Sequence, residues 1–428
     1  MTAGRMLRAA AAAMSAAIVL GVTAAPAWAA PVVDEVDPVQ AAEYWLDDYG
    51  IREAWQTTRG EGVTIAIIDT GIAKGPAEFQ GAVAGGYDVS GIGSPDGRTP
   101  VGAVDRDHGS WVASLAASRG TGGGAGMLGV APEAKLLSVS VGFGTSATRP
   151  FADQIAEAMV WAVDNGADII NLSLTTNTPD WDTSWDDAFL YAFDHDVVVV
   201  VAAGNRGSGT TRVGAPATIP GVLTVAGVDR SGRASVEAST QGITLGVAAP
   251  SEQLLGVSPD GRLVEWRGTS GAAPIVAGIA ALVRAAHPGL DAGNVINRIE
   301  STARLPAGQS PVLYGSGLVD AARAVTASVP TVSANPADEL REWIRVYRRA
   351  TPSEPTDQPT VAPVEVPQLP PADAVSEAAS PLLPSADTLR YGTVPLLVLT
   401  VPAILIGLGV TAAVRRIRSA RSARVTSR

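Results

Sequence analysis

The side chains best suited to chemistry in this sequence are a carboxylate, an imidazole and a hydroxyl, each beside an apolar run. Asp69 ends the strand-like run TIAIID, His108 opens a run of small residues, and Ser270 opens a long alanine-rich run. A serine hydroxyl becomes a strong nucleophile when an imidazole takes its proton and a buried carboxylate orients that imidazole. Enzymes built on parallel sheets place their chemistry at strand carboxyl ends and helix starts. The three residues therefore predict nucleophilic catalysis.

The small number of histidines narrows the choice of base. The chain has three. His195 lies just before a strand-like run and His287 at the end of a helical run, so we expect both to be structural. Asp105 and Asp107 precede His108 in a polar loop, and we expect their carboxylates to be solvated rather than to orient the imidazole.

The elements that must position these residues alternate along the chain. The runs VTIAIID, KLLSVSV, ADIINLSL, DVVVVVAA and VLTVAGV are rich in β-branched residues and lack polar alternation. This pattern is typical of strands in a parallel sheet that is covered on both faces. Helical runs such as FADQIAEAMVWAVDNG and WDDAFLYAFDHD lie between them. The sequence therefore predicts an α/β domain with a mostly parallel sheet flanked by helices.

Four motifs in order resemble those of the subtilisin-like (subtilase) serine proteases. They are Asp69 in TIAIIDTGI, His108 in DHGSWVASLAA, Asn205 at the end of VVVVVAAGN, and Ser270 in RGTSGAAPIVAGIAALV. The order Asp, His, Ser is that of subtilisin. The resemblance covers about residues 62–325 and implies a subtilisin-like fold and peptide-bond hydrolysis.

The resemblance also implies roles for residues around the three motifs. The side-chain amide of Asn205 and the backbone N–H of Ser270 would stabilise the oxyanion. Ser173, Leu174 and Gly204 would bind the substrate.

Plainer structural roles for these residues remain open from sequence. Asp69 could cap the turn that follows it, and Ser270 could cap the helix that it opens. Asn205 could be a turn residue after Gly204.

Three positions depart from the family pattern. Trp111 stands in the helix after His108 where relatives have a polar ring, and Gly271 follows Ser270 where many have methionine or an aromatic residue. Thr175 replaces a common glycine beside the substrate-binding strand. Since these changes affect pocket shape, cleavage specificity cannot be carried over from relatives.

Composition excludes several other classes of site. The chain has no cysteine and a formal net charge of −11, which excludes disulfides, zinc–thiolate sites and a cysteine nucleophile, and disfavours nucleic acid as a partner. The glycine-rich run 120–126 lacks the lysine of a phosphate-binding loop, so we expect a surface loop. Many subtilases bind calcium here through asparagine side chains; glycine and alanine stand there in this chain, so no cofactor is predicted and calcium stays open.

The two ends of the chain predict export and membrane attachment. Arg5 and Arg8 precede an apolar run that ends in the small residues of Ala27-Trp28-Ala29, a signal-peptide pattern. Near the other end, residues 393–414 carry no charge and could span about 33 Å as a helix, with arginines following. The predicted segments are a signal peptide (1–29), an N-terminal extension (30–61), the catalytic domain (62–326), a proline-rich linker (327–392), a transmembrane helix (393–414) and a basic cytoplasmic tail (415–428).

This architecture most resembles the mycosins, the membrane-anchored subtilases of actinobacterial type VII secretion. The resemblance implies a single-pass cell-membrane protease with an extracellular catalytic domain and exported or cell-envelope proteins as substrates. Secretion-machinery subunits are possible partners. An alternative from another class is a structural subunit that stabilises a secretion complex. Residues 30–50 are expected either to wrap the catalytic domain and stabilise it or to shield the active site.

Overall fold

The computed structural model describes residues 37–103, 105–143, 147–348 and 394–425. The predicted signal peptide and most of the predicted linker lie outside the described residues. The chain divides into two units, Met1–Thr351 and Pro352–Arg428. Within the first unit, the strands and helices alternate as the sequence predicted.

A seven-stranded parallel sheet forms the centre of the first unit. Its strand order is β2-β3-β1-β4-β5-β6-β7, and every adjacent pair is parallel. A separate antiparallel hairpin joins β8 and β9. The strands are β1 Thr64–Asp69, β2 Val83–Asp88, β3 Lys135–Ser140, β4 Ile169–Leu172, β5 Val198–Ala202, β6 Leu223–Val228, β7 Val247–Pro250, β8 Leu254–Val257 and β9 Leu263–Trp266.

Helices cover the sheet. Those in the described part of the chain are α1 Pro38–Ala42, α2 Tyr44–Asp48, α3 Ile51–Ala54, α4 His108–Ala117, α5 Phe151–Asp164, α6 Ser184–Asp194, α7 Thr269–Ala286, α8 Ala292–Thr302, α9 Pro311–Tyr314, α10 Ala321–Thr326, α11 Pro336–Tyr347 and α12 Val394–Val425. The pairs α4–α7 and α5–α6 pack on the sheet, and β4, β5 and β6 are buried along their whole length. Burial on both faces explains why these strands lack polar alternation.

Residues 37–54 are part of the hydrophobic core. Trp45 and Leu46 are fully buried. The hydroxyl of Tyr44 donates to the carbonyl of Glu252 at 2.8 Å, and the indole of Trp55 donates to the carbonyl of Val130 at 2.8 Å. The described residues 37–61 thus lie in the same compact unit as the residues that follow. The boundary between an extension (30–61) and a catalytic domain (62–326) stays a prediction.

A helix lies near the start of the predicted linker (327–392) and belongs to the first unit. Helix α11 buries Ala337 and Leu340, and the ring of Trp343 lies 4.3 Å from that of Trp181. Arg348 pairs with Asp186 at 2.9 Å. The compact unit thus continues past residue 326, because the apolar face of α11 finds its partner on helix α6.

Helix α12 makes up the described part of the second unit. It begins near the predicted residue 393 but continues to Val425, through much of the predicted tail. Large apolar side chains along it are exposed, among them Val398, Ile404, Ile406 and Leu408. By hydropathy and length, the helix in the described residues that qualifies to cross a membrane is α7, and it is a buried core helix. The transmembrane assignment of residues 393–414 stays a prediction.

Candidate active site

The carboxyl end of β1 places Asp69 against the first turn of α4. The Asp69 carboxylate is fully buried, and both of its oxygens lie 2.9 Å from Nδ1 of His108. The N–H of Thr70 also donates to this carboxylate at 2.7 Å. Because Nδ1 faces the carboxylate, it carries the proton and Nε2 is left to act as a base.

Thr70 links the end of β1 to the start of α4 by hydrogen bonds. Its hydroxyl donates to the carbonyl of Arg106 at 2.8 Å and accepts from the N–H of Gly109 at 2.8 Å. A Cβ at position 109 would lie 2.7 Å from the carbonyl oxygen of Gly71. Glycine at 109 therefore permits the close approach that brings His108 to Asp69.

Four influences act on the pKa of His108. Burial lowers it, while the negative charge of Asp69, the hydrogen bond to Asp69 and the charge of Asp105 raise it. The pKa of His108 lies above its ordinary value as a result. The imidazole keeps 20% of its surface exposed, which leaves it accessible from the cleft.

Ser270 lies in the first turn of α7 and exchanges two hydrogen bonds with Ser173. Its hydroxyl donates to the carbonyl of Ser173 at 3.2 Å, and the hydroxyl of Ser173 donates to the carbonyl of Ser270 at 2.8 Å. Pro274 explains the second bond, since proline has no N–H to give the carbonyl four residues earlier. Asn171 in turn donates to the hydroxyl of Ser173 at 2.9 Å.

The amide of Asn205 has a fixed orientation. Its oxygen accepts from the N–H of Thr269 at 2.8 Å and from the hydroxyl of Thr269 at 3.0 Å, while that hydroxyl accepts from the N–H of Gly204 at 3.0 Å. Because the oxygen is used in this way, the NH₂ group is left as a donor. The N–H of Ser270, in the first turn of α7, takes no acceptor among the described residues.

One cleft of about 560 Å³ brings most of the predicted site residues together. His108, Ser270, Asn205, Ser173, Leu174 and Gly204 all line it, as do Thr175, Asp105 and Phe143, and Asp69 stands behind His108. No described residue of 37–61 lines the cleft. The two expectations for residues 30–50, that they stabilise the catalytic domain or shield its site, stay predictions.

The family comparison agrees with this arrangement. The model of the subtilase family matches residues 60–322. The chain belongs to the subtilase family. Subtilases are serine peptidases, so the chain is a hydrolase of that class.

Curated subtilases from two bacterial groups resemble the chain. Mycosin-3 of Mycobacterium tuberculosis is 37% identical over 336 residues, which are 65% of this chain and 70% of that protein. Subtilisin DY of Bacillus licheniformis is 36% identical over 268 residues, 62% of this chain and 91% of that protein.

Solved subtilase structures share the fold. The crystal structure of MycP1 from Mycobacterium smegmatis matches with a TM-score of 0.57 and 30% identity, covering 67% of this chain and 85% of that one. The MycP3 protease from the type VII (ESX-3) secretion system matches with a TM-score of 0.55 and 33% identity, covering 68% and 89%. The predicted subtilisin-like fold and the resemblance to mycosins are confirmed.

Two of the three departures from the subtilase pattern, Trp111 and Gly271, both lie beside Trp266. The ring of Trp266, on β9, lies 5.6 Å from that of His108 and 5.7 Å from that of Trp111. A Cβ at position 271 would lie 2.3 Å from Leu254 and 3.3 Å from Trp266. Gly271 therefore makes room for the hairpin that places Trp266 beside His108.

The loop 120–126, where many subtilases bind calcium, contains no acidic or asparagine side chain. Within the loop, the carbonyl of Ala125 accepts from Thr121 and that of Gly122 accepts from Ala125. The side-chain amide of Gln40 contacts the carbonyl of Gly124 at 2.7 Å. In the described part of the chain, no group of three acidic or histidine side chains could hold a metal.

Some contributors to the site escaped the sequence argument. Thr70, Asn171 and Thr269 orient the predicted residues but do no chemistry themselves. Thr70 directly follows Asp69, and Thr269 directly precedes Ser270. A hydroxyl beside a motif residue was the signal in the sequence that could have indicated their role. Asp105 was expected to be merely solvated; it is exposed, but it also lines the cleft.

Proposed function

We propose that the chain is an endopeptidase in which Ser270 is the nucleophile, His108 the general base and Asp69 the residue that orients His108. The observation that carries this proposal is the Asp69–His108 pair, whose imidazole opens into the cleft that also holds Ser270 and Asn205. A buried carboxylate on Nδ1 fixes the tautomer that the reaction needs.

The reaction follows from this geometry. As a peptide displaces the weak hydrogen bond from Ser270 to Ser173, the hydroxyl turns to the imidazole. His108 accepts the proton at Nε2 while Oγ attacks the peptide carbonyl. The imidazolium then donates that proton to the leaving amine, and an acyl-enzyme remains. Water, deprotonated by His108, adds to the ester and releases the acid and free Ser270.

The oxyanion of each tetrahedral intermediate has two donors. These are the NH₂ of Asn205, held by Thr269, and the N–H of Ser270 in the first turn of α7. The helix N-terminus adds a favourable potential for negative charge. Ser173, Leu174 and Gly204 line the remaining walls and bind the peptide backbone on either side.

An active-site probe tests the assignment. The full-length protein, purified in detergent, should be labelled by a fluorophosphonate, and Ser270→Ala should abolish labelling. The matched control is Ser301→Ala, an exposed serine on α8 outside the cleft, which should keep labelling. Labelling that persists in Ser270→Ala would disprove the role of Ser270.

We further propose a single-pass cell-membrane location with the catalytic domain outside. Residues 1–29 direct export, residues 393–414 span the bilayer, and the arginine-rich segment from Arg415 to Arg428 stays in the cytoplasm. Exposed apolar side chains along α12, and the arginines that follow them, support this orientation. Protease added outside intact cells should remove the catalytic domain and spare an epitope tag at Arg428.

Substrates in this location are exported or cell-envelope proteins. The similarity to mycosins, among them one from a type VII secretion system, supports an association with such a system. A purely structural role in the secretion complex is the second candidate. Secretion in a Ser270→Ala strain decides between them: normal secretion there, with loss in a deletion strain, would establish the structural role.

A further inference from the structure

The cleft carries one carboxylate on its wall. Asp105 is the acidic residue among the described lining residues, and none of them is lysine or arginine. Apart from His108, the others are apolar, hydroxyl-bearing or amide-bearing residues or glycines. A cleft with one sign of charge favours a ligand of the opposite sign.

The carboxylate of Asp105 is available to a ligand. The residue is exposed, and no hydrogen bond or ion pair to its carboxylate is present among the described residues. The neighbouring Arg106 lies 3.8 Å from Asp107 instead. Arg262, in the turn between β8 and β9, pairs with Asp260 at 2.6 Å and is only secondarily attracted by Asp107. Neither arginine forms an ion pair with Asp105.

The backbone holds Asp105 in place at some cost. Its φ is 55°, in the left-handed region that aspartate tolerates better than most residues but that is still unfavourable without glycine. Its carbonyl accepts from the N–H of His108 at 2.9 Å, so the strained residue is fixed to the start of α4. Strain of this kind is often retained at binding sites.

We propose that Asp105 binds a lysine or arginine side chain of the peptide substrate near the scissile bond, so that the enzyme prefers basic sequences. This inference rests on the proposed function and assigns the substrate class of the same site. The bond formed is an ion pair, and the reaction itself is unchanged.

The contact between Asp105 and a substrate cation also changes the pKa of the base, His108. Besides burial, the groups that act on His108 are Asp69 and Asp105, both of which raise its pKa. A substrate cation beside Asp105 offsets the second of these charges. The pKa of His108 is then lower in the complex than in the free enzyme, and more of the imidazole is neutral and able to accept a proton near neutral pH.

The test compares peptides that contain arginine with peptides that contain citrulline, its uncharged isostere, at each position around one cleavable bond. With the full-length protein, we expect kcat/KM for arginine to exceed that for citrulline about 3- to 10-fold at one position, as for a partly exposed ion pair. Asp105→Asn should reduce the ratio to about one. Asp107→Asn, the matched control in the same loop, should keep it.

The pH dependence of kcat and kcat/KM is a second readout, which a purely structural role of Asp105 would not change. For the arginine peptide, the acidic limb of kcat should lie at lower pH than that of kcat/KM, because the first reports the complex and the second the free enzyme. For the citrulline peptide, and in Asp105→Asn, the two limbs should coincide.

Two results would overturn the inference: equal rates for arginine and citrulline at every position, or a preference that survives in Asp105→Asn. Fluorophosphonate labelling and cleavage of the citrulline peptide report the proposed function separately. Absence of both would reject that function, whereas their presence without charge selectivity would reject only the role of Asp105.

Discussion

Asp69 and His108 meet where the core ends and the cleft begins. Both carboxylate oxygens lie 2.9 Å from Nδ1, the carboxylate is fully buried, and the imidazole is 20% exposed. The pair thus joins the buried end of β1 to the cleft, where Ser270 and Asn205 line the wall.

Replacing Asp69 with asparagine should lower kcat about 10⁴-fold, because the amide no longer fixes the tautomer that leaves Nε2 free. His108 must be neutral to accept a proton, so activity rises with pH through its pKa. Asp69 raises that pKa, so its loss should shift the acidic limb of kcat/KM to lower pH. A pH–rate profile measures both effects, and an unmoved limb would contradict the electrostatic role of Asp69.

Asn205→Asp separates the oxyanion role of this residue from its structural role. The carboxylate still accepts from the N–H of Thr269, which the wild-type oxygen accepts at 2.8 Å, so folding is preserved. The donor to the oxyanion is lost, and kcat should fall about 100- to 1000-fold, the loss known from removing this kind of donor in subtilisin. Thermal unfolding and steady-state kinetics on one preparation test this; a normal kcat would exclude Asn205 from the oxyanion hole.

Glu43→Gln should make stability less dependent on pH. Glu43 is fully buried, one oxygen accepts from the N–H of Leu128 at 3.0 Å, and the other has no partner among the described residues. Burial raises its pKa to about 8. The unfolded chain therefore loses this proton at lower pH than the folded chain, and stability falls as pH rises from about 4.5 to about 8.

Glutamine keeps the acceptor for Leu128 without the charge. Relative to wild type, Glu43→Gln should gain on the order of 2–5 kcal/mol at pH 8.5 compared with pH 4. Denaturant unfolding at both pH values, each in a Ser270→Ala background to prevent self-digestion, measures the difference. Glu300, whose pKa burial raises to about 7, is present in both proteins and cancels. An equal pH dependence in the two proteins would show that Glu43 is ionised in the fold.

Truncation should locate the true end of the catalytic unit. A chain that stops after residue 351 keeps α11, whereas one that stops after 326 exposes Trp181 and removes the Asp186–Arg348 pair. The shorter chain should lose about 2–3 kcal/mol of stability, as for removal of a partly buried aromatic residue. Comparing the melting temperatures of the two truncated proteins tests this. Equal values would show that the catalytic domain ends at residue 326.

Much of the sheet could be predicted because its strands carry a local signal. Residues 198–202 are all β-branched or alanine and all buried, so their composition alone indicates a strand covered on both faces. Helix α11 could not be placed in this way. Its apolar face predicts a helix but not its partner, and Trp181 lies 162 positions before Trp343 in the chain.

The same distinction, between local sequence signals and contacts of distant segments, applies to the candidate active site. The sequence by itself predicted the nucleophile, base, orienting carboxylate and oxyanion donor, because those roles require particular functional groups and the motifs of Asp69, His108, Asn205 and Ser270 are local. Tertiary structure decided the rest. It oriented Asn205 through Thr269, joined Ser173 to a carbonyl freed by Pro274, and placed Asp105 in the cleft. Those contacts join segments distant in sequence, and their geometry exists only once the sheet has brought the strand ends together.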